Sequence, residues 1–212
     1  MNNKKSQLNT KMTATLDLII SNPVTVYPRE REIIETTILG QMFPWYYIGQ
    51  QTMNKSLEYL PEPVRPYISQ INSPFLSHTI LRRTEEESVN HIDRPLNHFS
   101  EFYEFFIEIF HRYMTENGLK YKKIFRANLN LNWHNGNGHT EPHRDHTWPH
   151  YNFIMYLNTC EQGQTIVWPD DFSTSYIVPC EQYTAVTFRE MWHAHRFPTL
   201  GTRRVVFVVT YI

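Results

Sequence analysis

The period of the hydrophobic residues changes at Gly118, and this change limits the fold to a helix followed by strands. Before it, aromatic and aliphatic residues recur every three or four positions, which predicts an amphipathic helix that begins near Ser100 and ends at Asn117-Gly118. After it, in residues 127–133, apolar side chains alternate with asparagines, which predicts a half-buried strand. Because one face of the helix is strongly apolar, we expect it to pack on a sheet.

Strand patterns continue to the end of the chain. The candidates are separated by glycine and proline turns, without helical patterns between them, and cover residues 151–158, 164–168, 175–178, 183–188 and 203–211. Strands in this succession predict a β-sandwich or barrel, such as a jelly roll. In the first half, prolines break residues 22–90 into short strands and turns, and residues 33–39 fit a strand or a helix. The predicted fold class is mainly β with flanking helices.

A chain of 212 residues can bury a full core as one domain, and its 15% aromatic content excludes a disordered protein. We predict a disordered N-terminus over residues 1–12 and a single domain over 13–212. Within that domain, residues 13–120 would supply N-terminal strands and the supporting helix. Residues 121–212 would form the jelly-roll core.

Charge and cysteine content indicate the compartment and the partners. The formal net charge is −1, so no nucleic-acid partner and no acidic membrane surface is expected. The apolar stretch after Lys11 is interrupted by Asp17 and is too short for a signal peptide or a membrane span. Cys160 and Cys180 match no metal-ligand spacing and predict two buried thiols, or a disulfide if their strands are neighbours. These features predict a cytoplasmic protein.

The histidines indicate a metal site. In Pro142-His143-Arg144-Asp145, positions 143 and 145 would face the same side of a strand and offer an imidazole and a carboxylate to one point. A histidine from another strand would complete a set that suits non-haem Fe(II) and leaves positions open for substrate and O2. The alternative is a His–Asp hydrogen bond on a surface strand. His193 and His195 both remain candidates for the third ligand.

An arginine near the C-terminus indicates an anionic ligand. Arg203 follows His193 by ten residues and begins an apolar strand, so its charge at the mouth of a core would need an anionic partner. Arg204 competes with it, and alternation allows only one of the two to point inward. The ten-residue spacing and the Trp192-His193 pair favour Arg203 and His193.

Residues 124–212 resemble the Fe(II)/2-oxoglutarate-dependent dioxygenases of the prolyl-4-hydroxylase-like branch. A second segment, 43–47, is similar to one in phage-encoded members, which would place the protein in the host-cell cytoplasm. The matching pieces are Asn135-Gly136-Asn137-Gly138, Pro142-His143-Arg144-Asp145, Ile154-Met155-Tyr156-Leu157-Asn158, Trp192-His193, Gly201-Thr202-Arg203 and Phe43-Pro44-Trp45-Tyr46-Tyr47.

The resemblance implies a double-stranded β-helix (jelly roll) with Fe(II) at its mouth and 2-oxoglutarate and O2 as cosubstrates. It implies His143, Asp145 and His193 as metal ligands, and Arg203 with Tyr156 as partners of the distal carboxylate of 2-oxoglutarate. The sequence departs from the family where the usual glycine pair is Gly163-Gln164. It departs again at position 133, where Trp133 replaces a tyrosine, and Asn130, Asn132 or Tyr151 would take over that contact.

The implied activity is hydroxylation of a C–H bond in a protein or peptide residue, with release of succinate and CO2. A free amino acid or small metabolite is the alternative substrate, and a nucleobase ranks third. Alternatives of other classes are a non-catalytic jelly-roll binding module and a zinc hydrolase. We expect the loop 146–150 and the aromatic segment 43–47 to line the mouth of the pocket, or else to be a polar loop and part of the core.

Overall fold

The computed structural model describes residues 19–48, 74–82, 100–136 and 138–212. The predicted disordered segment 1–12 lies outside these residues. The strands are β1 (Ile19–Pro23), β2 (Tyr46–Ile48), β3 (Phe75–Leu81), β4 (Ile124–Trp133), β5 (Tyr151–Tyr156), β6 (Thr165–Trp168), β7 (Tyr176–Val178), β8 (Thr184–Arg189), β9 (Trp192–His195) and β10 (Arg203–Tyr211). The helices are α1 (Pro28–Ile33), continued by a π-helical turn (Ile34–Ile38), and α2 (Tyr103–Glu116).

Two antiparallel sheets form the predicted jelly roll. The larger sheet has the order β1-β8-β5-β10-β4-β3-β2, and the smaller has the order β7-β6-β9. The five strand candidates after residue 150 and the strand at 127–133 are confirmed, with ends that shift by at most three residues. Residues 34–38, where the pattern was ambiguous, are helical, and β9 is an additional short strand. Neither described α-helix is long and apolar enough to cross a membrane.

Helix α2 packs on the large sheet, as its apolar face predicts. Ser100 Oγ accepts the backbone N–H of Phe102 at 3.2 Å before the helix starts. At the other end Gly118 has φ +64°, the left-handed conformation that favours glycine after a helix. The ring of Phe106 lies 4.7 Å from that of Phe207 on β10, and the aromatic stripe therefore belongs to the core.

The central strands of the large sheet have two different faces. On β10, Val205 and Phe207 belong to the core cluster under helix α2. Arg204 and Val206, which alternate with them along the strand, face the other way and line a cavity between the two sheets. The polar face of β4 also lines this cavity, and its Asn132 is only 3% exposed. Asn130 and Asn132 alternate with apolar residues on a strand that was predicted to be half-buried. In the structure, both asparagines therefore line an internal cavity.

An ion pair joins the first helical segment to α2. Arg112 contacts both carboxylate oxygens of Glu30, at 2.6 and 2.9 Å. Burial raises the pKa of Glu30. The hydrogen bonds from Arg112 and from the Tyr27 backbone together lower it by more than burial raises it, so the net shift is downward. The stabilisation is therefore present above the ordinary glutamate pKa and is lost as pH falls through the lowered value of the folded state.

We expect Arg112→Ala to reduce the free energy of unfolding by about 1 kcal/mol at pH 7, because the pair is partly exposed. The difference from the wild type should shrink as pH falls below the ordinary glutamate pKa and Glu30 becomes protonated. Urea unfolding between pH 3 and 7 measures it, with Glu30→Gln as the variant that lacks the titrating group. A difference that stays constant over this range would contradict the prediction.

Candidate metal centre

Three side chains converge at one end of the cavity between the sheets. His143 and Asp145 lie in the segment between β4 and β5, and His193 lies on β9. An isolated antiparallel bridge pairs His143 with His193. One candidate ligand atom from each residue lies within 4.8 Å of the others. Nε2 of His143 is 3.8 Å from Asp145 Oδ1, and Nε2 of His193 is 4.0 Å from Asp145 Oδ2.

Backbone carbonyls orient both imidazole rings. Nδ1 of His143 is 2.9 Å from the carbonyl oxygen of Glu141, and Nδ1 of His193 is 3.2 Å from that of Met191. A carbonyl oxygen only accepts, so each Nδ1 carries the hydrogen and each Nε2 keeps a lone pair. This is the arrangement that orients metal-ligating histidines in proteins.

The charge states also suit a divalent cation. Burial opposes ionisation of Asp145, but the charge of Arg126, and that of the two candidate ligand histidines when they are protonated, outweigh it and hold the pKa of Asp145 well below its usual range. Arg126 Nη2 lies 3.1 Å from Asp145 Oδ1. Burial, with a smaller contribution from His143, lowers the pKa of His193 to about 3. At neutral pH the site therefore offers a carboxylate and a neutral imidazole, the forms that bind metals.

His195 shares the buried face of β9 with His193 but lies outside this donor set. Its backbone N–H donates to Thr140 Oγ1 at 3.0 Å, and its Nδ1 is 3.4 Å from the same oxygen. Burial, with a smaller contribution from Arg204, lowers the pKa of His195 well below its ordinary value. Nε2 of His195 is buried and makes no hydrogen bond within the described residues.

The prediction that Arg203 points into the pocket is wrong. Arg203 is exposed, and its guanidinium donates to the backbone carbonyl of Leu39 on the surface. Arg204 is 3% exposed and lines the cavity together with the candidate metal ligands. The physical reason is the alternation of β10, in which Arg204 pairs with Asn132 and shares a face with Val206. The spacing from His193 to the arginine is not accurate to one residue, and a shift of one residue turns a side chain to the opposite face of the strand.

Arg204 is held by groups on and beside β6. Its Nε donates to the carbonyl oxygen of Gly163 at 2.9 Å, and its Nη2 donates to Thr165 Oγ1 at 2.9 Å. The predicted partner Tyr156 is buried beside them, with the Arg204 guanidinium 5.5 Å from its ring centre. The hydroxyl of Tyr156 donates to Thr165 Oγ1 at 2.7 Å. Thr165 also lines the cavity. The sequence did not indicate this position, because it results from strand pairing between segments far apart in the chain.

Glycine at position 163 permits this arrangement without strain. Its φ is +64°, and a Cβ at this position would lie 2.4 Å from Cys160 Sγ. We expect Gly163→Ala to lower stability by about 1–3 kcal/mol and to weaken binding of a carboxylate at Arg204, because the Gly163 carbonyl is displaced. Thermal unfolding and 2-oxoglutarate titration measure the two effects. Gly201→Ala, whose Cβ would meet nothing within 4 Å, is the control for strain at positive φ alone.

The two cysteines are free and buried, as predicted. Their sulfur atoms lie 3.0 Å apart, because residues 160 and 180 meet through a backbone hydrogen bond. The alternative prediction was a disulfide between neighbouring strands. The two cysteines do lie side by side, but both are free thiols.

Neither of the two segments expected at the mouth is among the described residues that line the cavity. Phe43 packs against Phe102 in the core cluster under helix α2, with ring centres 5.5 Å apart, and Tyr46 and Tyr47 are exposed on the edge strand β2. In the loop 146–150, His146 stacks on Trp148 at 4.3 Å. Of the described residues, those that line the cavity come from neither segment. Other residues therefore form the wall of this cavity, and the expectation that the two segments line the mouth of the pocket stays a prediction.

Asn130 and Asn132 do line the cavity, whereas Trp133 packs beside the core cluster under helix α2. Tyr151, the third residue expected to replace the family tyrosine, stacks on Tyr211 with ring centres 5.3 Å apart. The two asparagines are therefore the candidates of this set that reach the site.

Comparison with solved structures identifies the fold class. No protein-family model and no curated protein sequence matches the chain. The chain is similar to a 2OG-Fe(II) oxygenase family oxidoreductase from Burkholderia pseudomallei, at 11% identity and a TM-score of 0.63, covering 96% of this chain and 89% of that one. It is also similar to a prolyl hydroxylase from Trichoplax adhaerens, in complex with a hypoxia inducible factor peptide fragment, at 10% identity and a TM-score of 0.59, covering 100% and 94%.

A third similar structure is a prolyl-4-hydroxylase from Pseudomonas putida, at 11% identity and a TM-score of 0.51, covering 97% of this chain and 98% of that one. At these identities the likeness establishes the fold. The chain therefore has the double-stranded β-helix of the 2OG-Fe(II) oxygenases, as the sequence motifs predicted.

Proposed function

We propose that this chain is an Fe(II)- and 2-oxoglutarate-dependent oxygenase that hydroxylates a residue in a protein or peptide. The observation that carries the proposal is the convergence of His143, Asp145, His193 and Arg204 on one cavity of the double-stranded β-helix. Two imidazoles and one carboxylate hold non-haem Fe(II) and leave coordination positions open. A buried guanidinium beside them needs an anionic partner, and a carboxylate meets that need.

The side chains of the cavity would have separate roles. His143, Asp145 and His193 would hold the metal, and Arg126 would keep Asp145 ionised and fix one of its oxygens. Arg204 and Thr165 would bind the distal carboxylate of 2-oxoglutarate. Tyr156 would position Thr165, since its hydroxyl donates to Thr165 Oγ1.

When bound, Fe(II) with 2-oxoglutarate and O2 supplies the oxidising chemistry that releases succinate and CO2 and oxidises a C–H bond. The contribution of the chain is to hold these groups in a shielded position between two sheets. The apolar residues Ile154, Val206 and Val208 line the same cavity and would limit the entry of water.

A protein or peptide substrate is favoured by two observations. The formal charge of −1 does not suit the basic groove that a phosphate backbone requires. Two of the similar folds are prolyl hydroxylases, one of them bound to a peptide. Free amino acids and other small metabolites are the next candidates.

The test is O2 uptake and succinate formation by the Fe(II)-loaded enzyme with three substrate pools: a protein extract, an amino-acid mixture and single-stranded oligonucleotides. We expect stimulation above the uncoupled rate with the protein extract, and a product 16 Da heavier than its substrate. Stimulation by the amino-acid mixture or the oligonucleotides alone would contradict the peptide assignment. Absence of O2 consumption with every pool, together with hydrolysis in the zinc-loaded protein, would favour a zinc hydrolase. Ligand binding without turnover would favour a binding module.

A further inference from the structure

We propose that His195 is a third ligand of the distal carboxylate of 2-oxoglutarate, to which it donates a hydrogen bond from Nε2 beside Arg204 and Thr165. The inference rests on the proposed function. It gives a separate role to the histidine that competes with His193 in the sequence. Three side chains, His195, Arg204 and Thr165, would then bind the distal carboxylate of the cosubstrate.

The position of His195 follows from strand pairing. On β9 it lies two residues beyond His193 and faces the same cavity. Across the small sheet it pairs directly with Thr165 of β6. Thr165 in turn accepts a hydrogen bond from Arg204 at 2.9 Å. His195, Thr165 and Arg204 therefore form one group along the cavity wall, next to the candidate metal ligands but outside their donor set.

The hydrogen-bond partners of His195 favour a proton on Nε2. Thr140 Oγ1 accepts the backbone N–H of His195, and the hydroxyl hydrogen of Thr140 is then available to Nδ1, 3.4 Å away. With Nδ1 as acceptor, Nε2 of the neutral ring carries the hydrogen. Nε2 is buried, and within the described residues it has no hydrogen-bond partner. A buried donor without an acceptor is unfavourable, and an acceptor atom on a bound ligand would satisfy it.

The neighbouring side chains show what kind of acceptor fits. Thr165 Oγ1 already accepts hydrogen bonds from Tyr156 and Arg204, so its own hydroxyl hydrogen is available to donate. Arg204 is a cation, and among the described cavity-lining residues the carboxylate is Asp145, which pairs with Arg126. The side chains at this end therefore present donors and one positive charge. A carboxylate accepts several hydrogen bonds and carries one negative charge, which matches them.

The test is calorimetric titration of the Mn(II)-loaded protein with 2-oxoglutarate and with 2-oxopentanoate, which keeps the metal-chelating end but lacks the distal carboxylate. For His195→Phe we expect the dissociation constant of 2-oxoglutarate to rise by about tenfold. The affinities for 2-oxopentanoate and for Mn(II) should stay unchanged. His195→Gln should recover part of the loss, because its side-chain amide N–H can reach the position of Nε2.

Three results would overturn the inference: an unchanged affinity for 2-oxoglutarate in His195→Phe, an equal loss for both oxo acids, or a loss of Mn(II) binding. Thermal unfolding checks that each variant is folded. If His195→Phe does not fold, His195→Asn replaces it, because the shorter amide does not extend to Nε2. Arg204→Ala separates this inference from the proposed function. Failure of the wild type to bind 2-oxoglutarate contradicts both, whereas weakened binding in Arg204→Ala with normal binding in His195→Phe contradicts only the role of His195.

Discussion

Replacing His143, Asp145 or His193 by alanine is expected to abolish 2-oxoglutarate turnover and to weaken Fe(II) binding by more than about 100-fold. Loss of a residue that only hydrogen-bonds to a metal ligand costs up to about 100-fold in metal affinity, so loss of a ligand itself should cost more. The donor atoms lie within 4.8 Å of one another, so each removal leaves only two ligands. Anaerobic Fe(II) titration and O2 uptake measure the two effects separately. The carboxylate should be as important as the imidazoles, because it supplies the negative charge at the site.

Two histidines provide matched controls for this experiment. His195→Ala should retain metal binding, and it should retain turnover when 2-oxoglutarate is saturating, because its Nε2 lies outside the donor set. His111→Ala should retain both, since His111 lies on helix α2, contacts Tyr121 and does not line the cavity. Normal metal binding in His193→Ala, with its loss in His195→Ala, would show that His195 is the ligand.

The second large effect concerns the two adjacent arginines. Arg204→Ala should raise the dissociation constant of 2-oxoglutarate by about 10- to 100-fold, since hydrogen bonds to charged groups contribute roughly 1.5–3 kcal/mol. Arg203→Ala should change it little, because the Arg203 guanidinium contacts the Leu39 carbonyl on the surface. Titration of the Mn(II)-loaded proteins with 2-oxoglutarate measures both constants.

The arginine pair also tests the register of β10. Arg204 donates to Gly163 and Thr165 in the core, so Arg204→Ala is expected to lower stability as well, and thermal unfolding must accompany the titration. Binding of 2-oxopentanoate separates the two effects, because it should be unaffected if the protein is folded. The opposite ranking of Arg203 and Arg204 would place β10 one residue out of register.

Much of the fold could be predicted from the sequence, because hydrophobic period is a local property. The aromatic stripe before Gly118 predicted helix α2, and the alternation after it predicted β4 and the later strands of the jelly roll. The short spacing of His143 and Asp145 likewise indicated a shared site. Residues 34–38 show the limit of this reasoning, since a short apolar run fits either period, and only packing in the core under helix α2 made it helical.

The class of fold, the candidate ligand histidines and the presence of an inward-facing arginine follow from sequence patterns alone. The choice between Arg203 and Arg204 needed the three-dimensional pairing of the strands, because the face of a strand reverses with each residue and depends on its pairing partners. The same is true of Thr165, which meets Arg204 and His195 across strands far apart in the chain. Residues that act together in this cavity are joined by sheet register, and register is a long-range property.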